Sequence, residues 1–216
     1  MVQVSEVEHL EVDALAAVRR QTRQSVAELT GSEGRVDGVR LGAGTRLAAD
    51  VVIVGIGILP ETELAREAGL EVATGVIVDE HLRTADPHVL AAGDVAESWR
   101  PTLGRRLRVE HWSNALRHGE IAGRTLLGIP ASDDRLPHFY TDQYDLGMEY
   151  VGFVEPGGYD DVVVRGDLAA REFIAFWVRK GRVLAGMNVN VWDVTERIEE
   201  VVRAGGGVDD GDWPVG

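Results

Sequence analysis

Cysteine is absent from the 216 residues, which excludes disulfides, a thiolate metal site and a redox-active cysteine pair. Lysine is nearly absent as well. Lys180 is the only one, so the basic side chains are almost all arginine, a bias that reads as genomic composition. Positive charge is in deficit, with 22 Lys and Arg against 36 Asp and Glu and a net charge of −14. Phosphate neutralisation needs surplus basic side chains, so nucleic acid is not an expected partner. No apolar run is long enough to span a bilayer, and no positively charged leader precedes an apolar segment, so a soluble, cytoplasmic protein is expected. The six histidines are scattered without ligand spacing, which leaves metal-dependent hydrolysis a remote class and no metal site is expected. What is present is 44% hydrophobic and 27% charged content, enough for one large or two small domains with real cores.

Residues 1–30 are the least informative. Ala14 to Leu29 has the Ala, Arg, Gln and Glu content of a helix. From Arg35 to Leu41 the pattern alternates like a strand, and Gly42-Ala43-Gly44 reads as a turn. Arg46-Leu47 and Asp50-Val51-Val52-Ile53-Val54 predict a return strand with its last four residues buried. Gly55-Ile56-Gly57 ends it, and Pro60-Glu61-Thr62-Glu63-Leu64 reads as the start of a short helix stopping near Gly69. Asn114 to Leu127 predicts a helix closed by Gly128 and Pro130. A polar, linker-like run, Ser132-Asp133-Asp134-Arg135, places a boundary at about residue 130. Beyond it, Leu146 to Val154, Asp161 to Arg165, Glu172 to Val178 and Val183 to Val191 predict strands. Turns at Gly157-Gly158, Gly166-Asp167 and Lys180-Gly181 would separate them. A final helix is expected from Val194 to Ala204, giving an antiparallel sheet with a terminal helix. The Gly- and Asp-rich tail, 205–216, is expected to be disordered.

Four stretches carry chemistry. In Thr84-Ala85-Asp86-Pro87-His88-Val89-Leu90-Ala91-Ala92-Gly93-Asp94-Val95, Asp86-Pro87 starts a turn and Val89 to Ala92 predicts a strand covered on both faces. Gly93 then lets a ligand approach the backbone, and Asp94 can accept hydrogen bonds from ligand hydroxyls; capping a following helix would use the same pair. In Asp50 to Leu64 a buried strand ends in two glycines beside a helix start, with room for a planar or phosphorylated ligand or for close strand–helix packing. In Val109-Glu110-His111-Trp112-Ser113-Asn114 a helix amino end offers partial positive charge to an anion, with His111 and Trp112 either facing that ligand or packing the junction. In Pro137-His138-Phe139-Tyr140-Thr141-Asp142-Gln143-Tyr144-Asp145, two aromatics and an amide suit a lid over a flat cofactor or a hydrophobic anchor. Arg105-Arg106-Leu107-Arg108 either steers an acidic protein partner or forms a solvated loop.

Taken in order, these segments resemble the FAD-dependent NAD(P)H:ferredoxin, putidaredoxin and rubredoxin reductases that serve bacterial oxygenases, within the pyridine nucleotide-disulfide oxidoreductase superfamily. The lead-in Gly75-Val76-Ile77-Val78-Asp79-Glu80 and Leu82-Arg83-Thr84 also resembles that family. The lack of cysteine sets the chain apart from the superfamily's disulfide reductases. The resemblance implies an α/β remnant of an FAD/NAD(P)-binding domain over 1–130, with 1–30 atypical. An α+β reductase C-terminal domain over 131–204 would follow. It also implies that Gly93, Asp94 and Val95, with His111, Trp112 and Tyr140, face FAD, Asp94 holding the ribityl chain. Gly55, Ile56 and Gly57 would lie beside the nicotinamide of NAD(P)H. The family motif is Pro-x-Phe-Trp-Ser-Asp-Gln-Tyr-Asp/Glu; here Tyr140 stands for Trp and Thr141 for Ser.

No Gly-x-Gly-x-x-Gly for either nucleotide occurs in the sequence. The chain therefore looks like the carboxyl-terminal half of such a reductase, partnered by a missing amino-terminal half and a ferredoxin or rubredoxin-type carrier. On its own it is expected to bind FAD weakly, and no side chain need act as acid or base. The alternative is a non-catalytic module that forms a homodimer or docks another protein.

Overall fold

The computed structural model describes residues 4–6, 19–21, 23–210 and 213–215. They divide into two compact units, one ending at Leu59 and one beginning at Pro60.

In the first unit, β1 (Val4–Glu6) pairs antiparallel with β2 (Arg19–Gln21). A meander follows: β3 (Val26–Ser32), β4 (Arg35–Leu41) and β5 (Arg46–Ala48) in that spatial order. The β3–β4 turn is Glu33-Gly34, both with positive φ, the two-residue geometry whose twist matches that of paired strands. Val39 and Leu41 are buried. Two expectations fail here. The helix expected from Ala14 to Leu29 is not found where those residues are described: β2, an irregular stretch at 23–25 and the start of β3 take its place, because pairing with a neighbouring strand outweighs a weak helix propensity. The strand expected at 50–54 does not form. β5 ends at Ala48, and no described strand lies alongside Val51 to Val54 to complete a ladder. Val51, Ile53 and Val54 are 76%, 92% and 61% exposed instead of buried.

The second unit opens with α1 (Glu63–Glu67), which stops before Gly69 at φ +77°. β6 (Val76–Val78), β7 (Ala96–Arg100) and β8 (Arg105–Arg108) form a three-stranded sheet, β6–β7 parallel and β7–β8 antiparallel. The strand expected at Val89 to Ala92 is only a single bridge, Arg83 to Leu90. Turn hydrogen bonds take up the backbone there, Thr84 N–H donating to Val89 and Ala91 N–H to Leu82. The parallel pairing falls instead to β7, beyond Gly93. β8 also consumes the arginine cluster: Arg105 pairs with Glu155, Arg106 donates to the Val78 carbonyl, and Arg108 pairs with Glu110 at 2.5 Å. It is a strand and not a solvated loop.

α2 (Trp112–Leu126) ends in Gly128 at φ +70°. Its face Asn114, His118, Ile121 and Thr125 is buried, Ile121 packing with Val78, Leu82 and Ala96 in a small core. In the run 132–135, expected to be a linker, Asp133 is buried while Asp134 and Arg135 are exposed, and Leu136 just after it is buried again.

A five-stranded antiparallel sheet follows: β9 (His138–Gln143), β10 (Leu146–Gly152), β11 (Asp161–Asp167), β12 (Glu172–Arg179) and β13 (Arg182–Val189), ordered β11-β12-β13-β10-β9. Lys180-Gly181, both with positive φ, turns β12 into β13 as expected. The turn expected at Gly166-Asp167 lies later, because both residues still pair, Asp167 with Glu172. α3 (Thr195–Ala204) packs on this sheet. A Cβ on Gly186 would lie 2.5 Å from Ile198 Cγ2, so only glycine admits the helix at that height. The main core joins Val151, Ile174, Phe176, Val183 and Ile198. Val208 is buried in it, and Trp213 and Val215 pack against it. At these positions the tail is not disordered: apolar side chains find a groove despite their Gly- and Asp-rich surroundings. Gly211, Asp212 and Gly216 lie outside the described residues.

The observed architecture is thus an α/β part with one parallel strand pair, followed by an α+β unit of antiparallel sheet and helix. Among the described residues, no helix is long and apolar enough to cross a membrane.

Candidate functional site

Gly93, Asp94 and Val95 form a single 3₁₀ turn leading into β7. Gly93 sits at φ +75°, a left-handed conformation that L side chains rarely adopt. A Cβ there would meet only Ala115 Cβ, at 3.7 Å, so the constraint is the backbone and not space. The contact also places the turn against the first turn of α2. The Asp94 side chain is exposed, and its carbonyl accepts from Arg108 Nη1 at 3.3 Å.

α2 begins after His111, which has extended backbone and gives no side-chain cap. The helix start therefore presents its positive dipole end without a side-chain acceptor. His111 is half-buried. Its Nδ1 lies 3.2 Å from the His138 carbonyl; a carbonyl only accepts, so Nδ1 carries the proton. The ring packs on Phe139 with centroids 5.0 Å apart. Burial pushes the His111 imidazole below its ordinary 6.5, against the opposing pull of the His138 carbonyl. A histidine held low is neutral in the folded state and protonates more readily unfolded, so its stabilisation is present above pH 6.5 and lost as pH falls through the folded value. The urea midpoint should fall further between pH 7.5 and 5.5 in the wild type than in His111→Gln. Equal slopes would exclude this role.

Trp112 is 65% exposed and Tyr140 45%, their rings meeting edge-on at 6.2 Å and 83°. β9 brings Tyr140 there, its period of two placing His138 and Tyr140 on one face with centroids 6.3 Å apart. Six of the expected residues, Gly93, Asp94, Val95, His111, Trp112 and Tyr140, thus gather around the amino end of α2. Gly55, Ile56 and Gly57 belong to the first unit, where all three are exposed and Gly57 has φ +106°.

Beneath the turn lies a polar cluster that the sequence reading missed. Asp133, fully buried, accepts from Ser98 Oγ at 2.7 Å and His118 Nε2 at 2.9 Å, and pairs with Arg100 Nη2 at 3.1 Å. Arg100 also donates to Asn114 Oδ1, whose amide donates to the Val109 carbonyl at 3.1 Å. Burial pushes the Asp133 carboxyl up, but the hydrogen bonds from His118 and Ser98 and the Arg100 charge outweigh it and hold the carboxyl below its ordinary 3.8. Burial likewise lowers Arg100, with Asp133 opposing. His118 Nδ1 accepts the Gly93 N–H at 3.1 Å. The spacing 114, 118, 121, 125 on one helix face was the available signal. Nothing in the sequence marks Asp133 over Asp134.

The comparisons bear on this geometry. Residues 5–119 match the family model described as pyridine nucleotide-disulphide oxidoreductase. The chain belongs to that family. Its carboxyl-terminal part, residues 138–211, matches the reductase C-terminal model. Putidaredoxin reductase of Pseudomonas putida is 39% identical over 183 residues, covering 85% of this chain and 43% of the relative. Among solved structures, a ferredoxin reductase from Rhodopseudomonas palustris superposes with a TM-score of 0.78 at 34% identity, covering 86% of this chain and 45% of that one. The covalent putidaredoxin reductase–putidaredoxin complex gives 0.77 at 36% identity, covering 84% and 44%. The chain spans about two fifths of the length of the curated relatives it matches. These 216 residues contain no cysteine and therefore no disulfide.

Proposed function

We propose that this chain is the flavin-facing, carrier-docking part of an NAD(P)H:ferredoxin-type reductase, a cytoplasmic component that feeds an oxygenase through a ferredoxin or rubredoxin. The observation that carries this is the gathering of a left-handed Gly-Asp turn, a helix start without a side-chain cap and an exposed aromatic pair at one place. These residues fit FAD: the turn leaves the Asp94 carboxylate free for ligand hydroxyls, and the exposed rings offer a flat edge. FAD, when bound, supplies two-electron chemistry with NAD(P)H and one-electron chemistry with the carrier. In this reading Gly93, Asp94 and Val95 hold the ribityl chain, and the backbone at His111 and Trp112 brings the helix dipole to the pyrimidine edge. Tyr140, with Trp112, shields the ring from water. Gly55, Ile56 and Gly57 serve the nicotinamide side. The functional division runs at about residue 130, with the α+β part from 131.

The 216 residues contain no Gly-rich phosphate loop, so most of the phosphate and adenine contacts must come from elsewhere. The chain purified alone is expected to be colourless and to quench FAD fluorescence only weakly. Asp94→Ala should weaken that binding roughly tenfold or more, as loss of a charged hydrogen bond does. Stoichiometric yellow protein would sink the weak-binding claim; no quenching at millimolar FAD would sink the flavin-facing one. A second reading, a homodimerising or protein-docking module without catalysis, is favoured by the exposed apolar run Val51 to Leu59. A stable colourless dimer in light scattering, indifferent to FAD, would select it.

A further inference from the structure

We propose that His118, held by Asp133, is the positioning residue that sets the Gly93–Asp94 turn; its value for cofactor binding rests on the flavin reading above. The Gly93 N–H can only donate, so the His118 Nδ1 that it reaches at 3.1 Å is the accepting nitrogen. The ring proton then sits on Nε2, which donates to Asp133 Oδ2 at 2.9 Å. Both side chains are fully buried, which protects these bonds from competing water. The rest of the cluster fixes the carboxylate in turn: Ser98 from β7 and Arg100 from its end bond the same Oδ2, while Arg117 Nε faces Oδ1 at 3.6 Å. Asp133 is therefore a rigid support, and the imidazole is a spacer of defined length between it and the turn.

The turn needs such a support. At φ +75° the glycine sits in a region that its own flexibility also lets it leave; the Ala96 N–H holds its carbonyl, and the His118 acceptor holds its N–H. The bond to His118 fixes the orientation of the Ala92–Gly93 peptide, and with it the direction of the following Asp94. The three-residue turn has no side-chain cap of its own. His118 is fully buried and its ring bonds to Gly93 and Asp133, so it acts through Gly93.

Two substitutions separate the two ends of the ring. His118→Gln keeps an N–H where Nε2 stood but places no acceptor toward Gly93. His118→Asn places a carbonyl oxygen where Nδ1 stood and abandons Asp133. In the 216-residue chain, amide exchange at Gly93 should accelerate about tenfold in His118→Gln, the size of one ordinary hydrogen bond. It should stay near wild type in His118→Asn, and the rest of α2 should be unchanged in both. Long-range ¹H–¹⁵N spectra should show the Nε2–H tautomer. An unmoved Gly93 amide in His118→Gln, acceleration spread over the whole unit, or an Nδ1–H tautomer would each overturn the proposal. FAD titration forms a separate arm: about tenfold weaker quenching is expected for His118→Gln and little change for His118→Asn. If the wild type does not quench at all, the flavin reading fails while Gly93 exchange still reports on His118.

Discussion

Replacing Asp133 with alanine is expected to destabilise the second unit by about 3–5 kcal/mol, the cost of leaving a buried charge without its partner. Arg100 is nearly as buried as Asp133 and would keep its charge with no carboxylate beside it. Ser98 Oγ and His118 Nε2 would lose their acceptor at the same time. Asp133→Asn keeps the shape and one acceptor oxygen, so it should cost less than alanine while still leaving Arg100 unneutralised. Urea unfolding of the three proteins at pH 7 tests the ordering. A loss below about 1 kcal/mol for alanine, within the range of exposed ion pairs, would show that the cluster is solvated. The pH dependence has a fixed sign. The Asp133 carboxyl is held below its ordinary 3.8, so its stabilisation is present above that value and is lost as pH falls through the folded one. The gap between wild type and Asp133→Asn should therefore narrow in acid below pH 4 and stay constant from pH 5 to 7.

Phe176→Ala should cost a comparable amount, about 3–5 kcal/mol, through lost burial and the cavity left behind. Phe176 is fully buried in the main core, beside Gly186, whose missing side chain admits Ile198. Its ring centroid lies 4.6 Å from that of Trp213, and the Trp213 indole donates to the Val208 carbonyl at 2.7 Å. The substitution thus removes the surface on which the carboxyl-terminal segment lies. Exchange protection at Val208 should drop before that of β12 and β13 in rising urea. Retained protection at Val208 with an otherwise destabilised core would mean that the segment is anchored by the indole hydrogen bond alone.

The carboxyl-terminal sheet was the most legible part of the sequence. β11, β12 and β13 pair with neighbours close in the chain, so local patterns suffice there: Glu172 to Val178 and the Lys180-Gly181 turn match the structure nearly to the residue. α2 was legible for the same reason, its closing Gly128 and Pro130 being local signals. The α/β part was not. Val51 to Val54 reads as a buried strand because its composition suits burial, yet composition names no pairing partner, and none is found among the described residues. Val89 to Ala92 misled in the same way. The six residues around the amino end of α2 came from a motif in family order, which carries positional information that hydrophobic patterning lacks. His118 and Asp133 escaped because a buried polar pair depends on two segments meeting. Asp133 and Asp134 look alike in sequence, although one is fully buried and the other exposed.

The segment between α2 and β9 has a mechanical consequence. It is pinned at Asp133, again at buried Leu136, and finally where Ser113 Oγ donates to the His138 carbonyl at 2.6 Å. A connection fastened at three points has no hinge. α2 and β9 then move as one body, and they carry the edge-on contact between the Trp112 and Tyr140 rings with them.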